Sequence, residues 1–160
     1  MISKRISTVF ALSFLLAVGM SFTTSPISTE PTEKPKEVIQ WLSMEEALVK
    51  MEKEPRKLMV DVYTDWCGYC KLMDKNTFSD AEVASYVNKN YYAVKLNAES
   101  EKSFFFRGES ITESQMAGAL GVRGYPTIVF IEKDLETTNP SPGYKKAKPF
   151  LKELERNLEE

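Results

Sequence analysis

The chain has 160 residues, 42% of them hydrophobic, which is enough for one packed domain and gives no sign of global disorder. Its formal net charge of −2 provides no electrostatic footprint for nucleic acid, so no nucleic-acid partner is expected. It has no histidine, which excludes Ser-His and Cys-His nucleophile pairs, and its two cysteines alone supply half of a zinc site, so no metal is expected.

The N-terminus has the pattern of an export signal. Two basic residues precede an apolar run at 9–18, and small residues follow it. The run is shorter than the ~20 residues of a membrane-spanning helix, so an uncleaved membrane anchor is the less favoured alternative. We expect a signal peptide over 1–22, a flexible Pro/Ser/Thr-rich spacer over 23–37 and one domain over 38–160. The protein is then expected in the periplasm or among secreted proteins.

The first half of the domain alternates between strand and helix patterns. Ser43 and Glu46 have capping-box spacing at the start of a helix, and Pro55 ends that helix. A kink is predicted near Thr77, between two helical pieces. The predicted elements are a strand at 38–42, a helix from Ser43 to Lys53, a strand at 58–63, a helix from Cys67 to Met73 and a helix from Asp80 to Val87.

The second half adds closely spaced strands and a terminal helix. Thr112 and Gln115 form another capping-box spacing, and Pro149 suits a first helical turn. The predicted elements are a strand at 91–97, a helix from Thr112 to Gly121, a strand at 127–131, a strand near 135–138 and a helix from Pro149 that carries Leu158. This order predicts an α/β fold with a mixed central sheet flanked by helices on both faces.

The only two cysteines, Cys67 and Cys70, lie two residues apart at a predicted strand-to-helix junction. Such a pair can close and open a small disulfide ring, and a helix start favours a thiolate. Outside the reducing cytosol a disulfide persists, but one closely spaced pair closes a tiny loop and removes little unfolded-state entropy. The pattern therefore favours a redox pair over a structural disulfide.

Two segments carry a resemblance to a known family. Residues 60–71 resemble the thioredoxin active-site segment, and residues 121–127 resemble that family's cis-proline segment. The chain is identified as a member of the thioredoxin-like family over 38–160. Asp65-Trp66-Cys67 and Thr77-Phe78-Ser79-Asp80 resemble the periplasmic thiol–disulfide oxidoreductases of this family, which include the C-terminal domain of DsbD. The resemblance implies a thioredoxin fold whose redox group is the cysteine pair, with no cofactor.

The resemblance implies roles for four residues. Cys67 is the attacking thiol, and Cys70, one helical turn further on, is the more shielded resolving thiol. Asp61 is a mid-strand carboxylate, which is costly to bury unless it is used or neutralised. In thioredoxins the aspartate at this position relays a proton to or from the resolving thiol, and Lys95 matches the lysine that pairs with it. The alternative is that both side chains face solvent.

A substrate surface is also implied. The Tyr125-Pro126 peptide bond is expected to be cis, with the backbone of Tyr125 offering hydrogen bonds to a bound peptide, although an ordinary trans bond is the alternative. Trp66 provides an apolar ledge. Gly143-Tyr144 corresponds more weakly to the family's glycine-bearing loop. The expected substrate-binding residues are Trp66, Gly68, Tyr69, Tyr125 and Pro126.

The residues around the cysteines favour a reductant. Tyr69 stands where strong oxidants carry a histidine, and Asp65 places a negative charge near Cys67, which raises a thiol pKa. We expect an exported, monomeric enzyme that reduces disulfide-containing proteins and is recharged by a DsbD-type membrane electron donor. The alternatives are a disulfide isomerase or oxidase, and a non-enzymatic peptide-binding module with a structural disulfide.

The segment 99–111 is longer than the corresponding thioredoxin turn and contains Phe104-Phe105-Phe106. The favoured interpretation is a hairpin whose alternate Phe side chains pack on the domain. The other is an exposed aromatic surface that docks a partner, because three consecutive side chains of a strand cannot all face inward.

Overall fold

The computed structural model describes residues 37–159, so the predicted signal peptide and nearly all of the predicted spacer lie outside the described residues. The helices are α1 (Met44–Lys53), α2 (Gly68–Met73) with a following π-helical turn (Asp74–Phe78), α3 (Ala81–Asn90), α4 (Glu113–Ala119) and α5 (Ala147–Glu159). The strands are β1 (Trp41–Leu42), β2 (Lys57–Tyr63), β3 (Tyr91–Asn97), β4 (Ser103–Phe106), β5 (Glu109–Thr112), β6 (Thr127–Ile131) and β7 (Thr138–Pro142). None of these helices has the length and apolar character needed to cross a membrane.

The central sheet is mixed and has the strand order β1-β3-β2-β6-β7. Strands β1, β2 and β3 run parallel, whereas β6 runs antiparallel to β2 and β7 antiparallel to β6. Strand β2 is central, and the cysteines follow its C-terminal end. This arrangement confirms the predicted α/β class and the mixed sheet.

Alternation along the central strands divides the core into two layers. One layer contains Leu58 and Val60 of β2 and packs against α1, α4 and the β4–β5 hairpin. The other contains Met59 of β2 and packs against α3, α5 and the helical segment that begins at the cysteines. Successive side chains of a strand point to opposite faces, so a sheet with two apolar faces must be covered on both sides.

Some predicted boundaries are wrong. The first strand covers only Trp41–Leu42, and the last helix begins at Ala147, two residues before Pro149. The last strand lies at Thr138–Pro142 rather than 135–138, because residues 132–137 form the turn that precedes it. In that turn Leu135 has φ +59°, and the carboxylate of Asp134 accepts backbone N–H groups of the two residues that follow Leu135.

The three phenylalanines lie on a hairpin, as the favoured interpretation predicted. Strand β4 pairs antiparallel with β5. Phe104 is buried in the core layer beside α1, Phe106 packs against the same layer, and Phe105 between them is 72% exposed. The period of two in a strand therefore places alternate rings on the domain and leaves the middle ring at the surface.

Candidate active site

Cys67 and Cys70 form a disulfide where β2 leads into α2, with their Cα atoms 5.3 Å apart. Cys67 is the N-cap residue of α2, and its Sγ accepts the backbone N–H of Cys70 at 3.1 Å. The N–H of Cys67 donates to the carbonyl of Thr64, which fixes the loop that leaves β2. A sulfur that already accepts an N–H accepts it more strongly as an anion, so this geometry stabilises a thiolate on Cys67 after reduction.

The expected difference in shielding between the two cysteines is absent, because each is 4% exposed. In a disulfide each sulfur covers part of the other. The surface beside them is open: Trp66 and Tyr69 are 67% and 64% exposed, and a Cβ placed on Gly68 would meet no atom within 4 Å. The disulfide thus lies just below the surface, beside open space at Gly68.

The loop before β6 borders this surface. The Tyr125-Pro126 peptide bond is cis, and Pro126 is buried. Thr127, the next residue, pairs with Val62 near the end of β2, which brings the loop beside the cysteines. The rings of Tyr125 and Trp66 meet edge to face with their centroids 5.9 Å apart. Two of the predicted substrate-binding side chains are therefore in contact.

The loop after β7 borders the other side. Gly143, whose φ of +90° favours glycine, donates its N–H to the carbonyl of Pro126 at 2.8 Å. The ring of Tyr144 lies 6.3 Å from that of Tyr69, between the cysteines in sequence. An aromatic pair thus flanks the disulfide on each side.

Asp61 is buried below the active-site loop, where it is 1% exposed. The ammonium group of Lys95 lies 2.7 Å from its Oδ2 atom and also contacts the carboxylate of Asp74, which is half-exposed. Asp61 Oδ1 and the hydroxyl of Thr64 are buried without a hydrogen-bond partner among the described residues. The alternative that Asp61 and Lys95 both face solvent is wrong.

The protein environment raises the pKa of Asp61 and that of Lys95. Burial raises the pKa of Asp61, and the attraction of Lys95 only partly offsets this effect. Burial lowers the pKa of Lys95, but Asp61 and Asp74 outweigh it, so the net direction is upward. The lysine stays charged, while the aspartate holds a proton to higher pH than an ordinary carboxyl group.

Sequence reasoning missed two residues of this region. Asp74 follows Cys70 by one helical turn, a spacing that could have placed it near the site, but its contact with Lys95 joins a helix end to a separate strand, which spacing does not indicate. Glu99 accepts the indole N–H of Trp66 at 2.8 Å, a contact between distant segments that no spacing indicates. Over residues 37–159, no group of three or more His, Cys, Asp or Glu residues is placed to hold a metal ion.

Comparisons with known proteins agree with this geometry. The sequence model of the thioredoxin-like domain matches residues 44–157. The thiol:disulfide interchange protein DsbD of Vibrio vulnificus strain CMCP6 is 30% identical over 120 residues, which are 74% of this chain and 18% of DsbD. The chain therefore spans less than a fifth of the length of this relative.

Two solved structures are similar over nearly their whole length. A Bacteroides thetaiotaomicron protein, named provisionally as a disulphide-isomerase, is 30% identical with a TM-score of 0.60, covering 79% of this chain and 98% of its own. The oxidised C-terminal domain of Neisseria meningitidis DsbD shares the fold at 22% identity and a TM-score of 0.55, covering 73% of this chain and 98% of its own. The chain belongs to the thioredoxin-like family, and the start of its helix α2 carries the Cys67–Cys70 disulfide.

Proposed function

We propose that the protein is an exported enzyme that reduces disulfide bonds in other proteins. One observation carries the proposal: a Cys67–Cys70 disulfide at a helix start lies beside the cis Tyr125-Pro126 bond and above a buried carboxyl group with a free oxygen. A purely structural disulfide would require neither the cis-proline loop nor the buried carboxyl group.

The reaction is a pair of thiol–disulfide exchanges. In the reduced enzyme the thiolate of Cys67 attacks one sulfur of a substrate disulfide, forming a mixed disulfide and expelling a substrate thiolate. The thiolate of Cys70 then attacks Cys67 Sγ, which closes the disulfide seen here and expels the second substrate thiolate. Two electrons pass to the substrate, and no cofactor besides the two thiols takes part.

Asp61 takes the proton of Cys70 in the second exchange. Its Oδ1 is unpartnered, and its raised pKa makes it a better base than an exposed carboxylate. Lys95 holds Oδ2, so the carboxyl group keeps one oxygen fixed and the other free. Lys95 acts through Asp61 and is a positioning residue.

The substrate chain crosses the open surface at Gly68, between Trp66 and Tyr69. The indole of Trp66 is held by Glu99 and by the ring of Tyr125, so it offers a fixed apolar ledge. The backbone of Tyr125 hydrogen-bonds the substrate chain. Binding to backbone and apolar surface suits an enzyme that accepts many sequences.

The direction of electron flow follows from the charges near Cys67. No histidine lies between the cysteines, since Tyr69 occupies that position. The carboxylate of Asp65, two residues before Cys67, opposes a thiolate by like charge. The helix start stabilises the Cys67 thiolate, but the carboxylate of Asp65 and the missing histidine leave it less stable than in a strong oxidant. A less stable thiolate makes the reduced form give up its electrons more readily, which favours a reductase over a strong oxidase.

Mutation of each cysteine tests the proposal. Cys67→Ser should abolish reduction of insulin disulfides, because the attacking thiol is lost and Cys70 alone cannot close the disulfide that releases the substrate. Cys70→Ser should form the first mixed disulfide and trap it as a covalent complex visible on non-reducing gels. A double Cys67→Ser/Cys70→Ser variant that still reduces insulin would contradict the proposal.

Isomerase activity is the second candidate, because the similar Bacteroides protein is named provisionally as a disulphide-isomerase. Refolding of scrambled ribonuclease separates the two functions. An isomerase restores ribonuclease activity with catalytic amounts of the single-cysteine variant Cys70→Ser, whereas a reductase requires both cysteines and a supply of electrons.

The proposal also covers where the enzyme acts, which protein reduces it and its oligomeric state. The signal-like segment 1–22 supports delivery to the periplasm or the medium, followed by cleavage. The donor there is a membrane protein of DsbD type, and the enzyme acts as a monomer. Mass spectrometry of the protein from cell fractions tests cleavage and location, and light scattering tests the oligomeric state.

A further inference from the structure

A cavity of about 530 Å³ lies at the far end of the domain, but a second one of about 570 Å³ adjoins the disulfide side. The second cavity lies between the π-helical turn and the start of α5. Its walls include Tyr144, Lys146, Lys148 and Pro149, together with Asn76 and Asp80. It is a surface depression lined by one aromatic ring, by two lysines and by the carboxylate of Asp80, which caps α3.

The lysines of this cavity are unengaged. Lys146 and Lys148 are exposed, and neither forms an ion pair among residues 37–159. Lys145 beside them is different, because its ammonium group contacts Glu153 and the carbonyls of residues 141–143. Lys145 therefore stabilises the loop after β7, whereas Lys146 and Lys148 at the cavity have no ion-pair partner among the described residues.

The cavity and the active-site surface meet at one side chain, that of Tyr144. Tyr144 lines the cavity, and its ring lies 6.3 Å from the ring of Tyr69, which sits between the cysteines in sequence. The hydroxyl of Thr77 donates to the carbonyl of Lys145 at 2.6 Å, which ties the helical segment following Cys70 to the cavity wall.

More lysines lie on the same side. Lys71 directly follows Cys70, and Lys75 follows by a further turn; both are exposed and form no ion pair among the described residues. On the Trp66 side the exposed side chains include Asp65 and Glu99. The Tyr69 side also has carboxylates, but Asp74 there contacts Lys95 and Asp80 caps the start of α3, so the charges left without an ion pair or a hydrogen bond on that side among the described residues are lysines.

We propose that this cavity is a specificity subsite for acidic polypeptide, so that the preferred substrates carry Asp or Glu residues on the side of the disulfide that passes Tyr69. The inference rests on the proposed reductase function and adds a substrate class to it. The carboxylates would pair with Lys146 and Lys148, while the apolar part of the chain lies on Tyr144. Basic substrates are disfavoured by like charge.

The expected effect is moderate and depends on salt. Exposed ion pairs are weak individually. Two lysines together should therefore raise the rate constant for an acidic substrate over that for a basic one about tenfold at low ionic strength. The effect should fade near about 1 M salt, where the Debye length falls to about 3 Å.

The test uses cyclic peptides with one disulfide and flanking residues that are acidic, neutral or basic. Reduced full-length protein is mixed with each peptide at about 20 mM and about 1 M salt, and thiol release gives the rate constant. Dividing by the rate constant with dithiothreitol, an uncharged reductant, removes the intrinsic reactivity of each peptide. The variants are Lys146→Ala/Lys148→Ala and, with equal change in net charge, Lys53→Ala/Lys133→Ala.

The wild type should prefer the acidic to the basic peptide about tenfold at low salt, and the ratio should approach one in Lys146→Ala/Lys148→Ala but not in the control. Equal rates for all peptides, or an equal loss in the control, would overturn the subsite while leaving the reductase intact. If the wild type reduces no peptide at all, both the reductase and the subsite are wrong.

Discussion

Asp61 and Lys95 are register partners across the parallel strands β2 and β3, and the ammonium group lies 2.7 Å from Asp61 Oδ2. The pairing leaves Oδ1 buried without a hydrogen-bond partner among the described residues. A buried acceptor without a partner is costly, so it is usually retained for a reason. In the proposed reaction this free oxygen takes the proton of Cys70.

Replacement of Asp61 with Asn should slow the second exchange. The amide keeps the shape of the side chain but cannot take a proton, so resolution of the mixed disulfide should slow by at least about tenfold at neutral pH. Stopped-flow measurement with a disulfide peptide resolves the two steps. The first step, attack by Cys67, serves as the internal control, and equal slowing of both steps would argue against a proton relay.

The same substitution should change how stability depends on pH. Burial raises the pKa of Asp61 above its unfolded value, so wild-type stability is lost as pH rises from about 4 through the pKa of the folded protein. The Asn variant does not lose stability in this way, so its free energy of unfolding minus that of the wild type should increase as pH rises. Urea unfolding of both oxidised proteins at several pH values measures the difference; a constant difference would contradict the raised pKa.

Lys95→Met and Asp74→Asn should move the pKa of Asp61 in opposite directions. Lys95 lowers that pKa by its positive charge, so its loss raises it further, whereas Asp74 raises it, so loss of that carboxylate lowers it. The carbon chemical shift of the Asp61 carboxyl group, followed by NMR over pH, reports both changes. If both substitutions moved the pKa of Asp61 in the same direction, the charges of Lys95 and Asp74 would not be what sets that pKa.

Much of this site was predictable because its residues lie in regular strands. Asp61 stands among apolar neighbours in an evident strand, and Lys95 holds the same place in the next parallel strand. The family resemblance supplied their pairing, since sequence alone does not give the register. The start of α2 at the cysteines followed from the change between a strand pattern and a helix pattern.

Other features depend on contacts that spacing does not encode. Asp74 at the end of α2 contacts Lys95 of β3, and no spacing within one helix or strand indicates a contact between these two elements. The sequence predicted the last strand near 135–138, but strand β7 lies at Thr138–Pro142 and contains Pro140 and Pro142. Prolines are tolerated there because β7 is an edge strand of the sheet that residues 37–159 form, with β6 as its neighbour.

The hairpin interpretation predicts different outcomes for adjacent phenylalanines. Phe104 is buried in the core layer, so Phe104→Ala should lower the free energy of unfolding by about 3 kcal/mol. Phe105 is 72% exposed, so Phe105→Ala should change it by less than about 0.5 kcal/mol. Urea unfolding compares them, and a large loss in Phe105→Ala would show that this ring is covered in solution.

Gly68→Ala should separate access to the disulfide from stability. A Cβ at this position meets no atom within 4 Å, and Gly68 begins α2, so the folded protein should be as stable as wild type or slightly more so. The added methyl group projects into the open surface where a substrate backbone crosses, so reduction of insulin should slow several-fold. Reaction with dithiothreitol, which is small, should change little and controls for the redox chemistry. Equal rates with insulin in the variant and wild type would mean that the partner chain approaches the sulfurs from another side, past Trp66 or Tyr69.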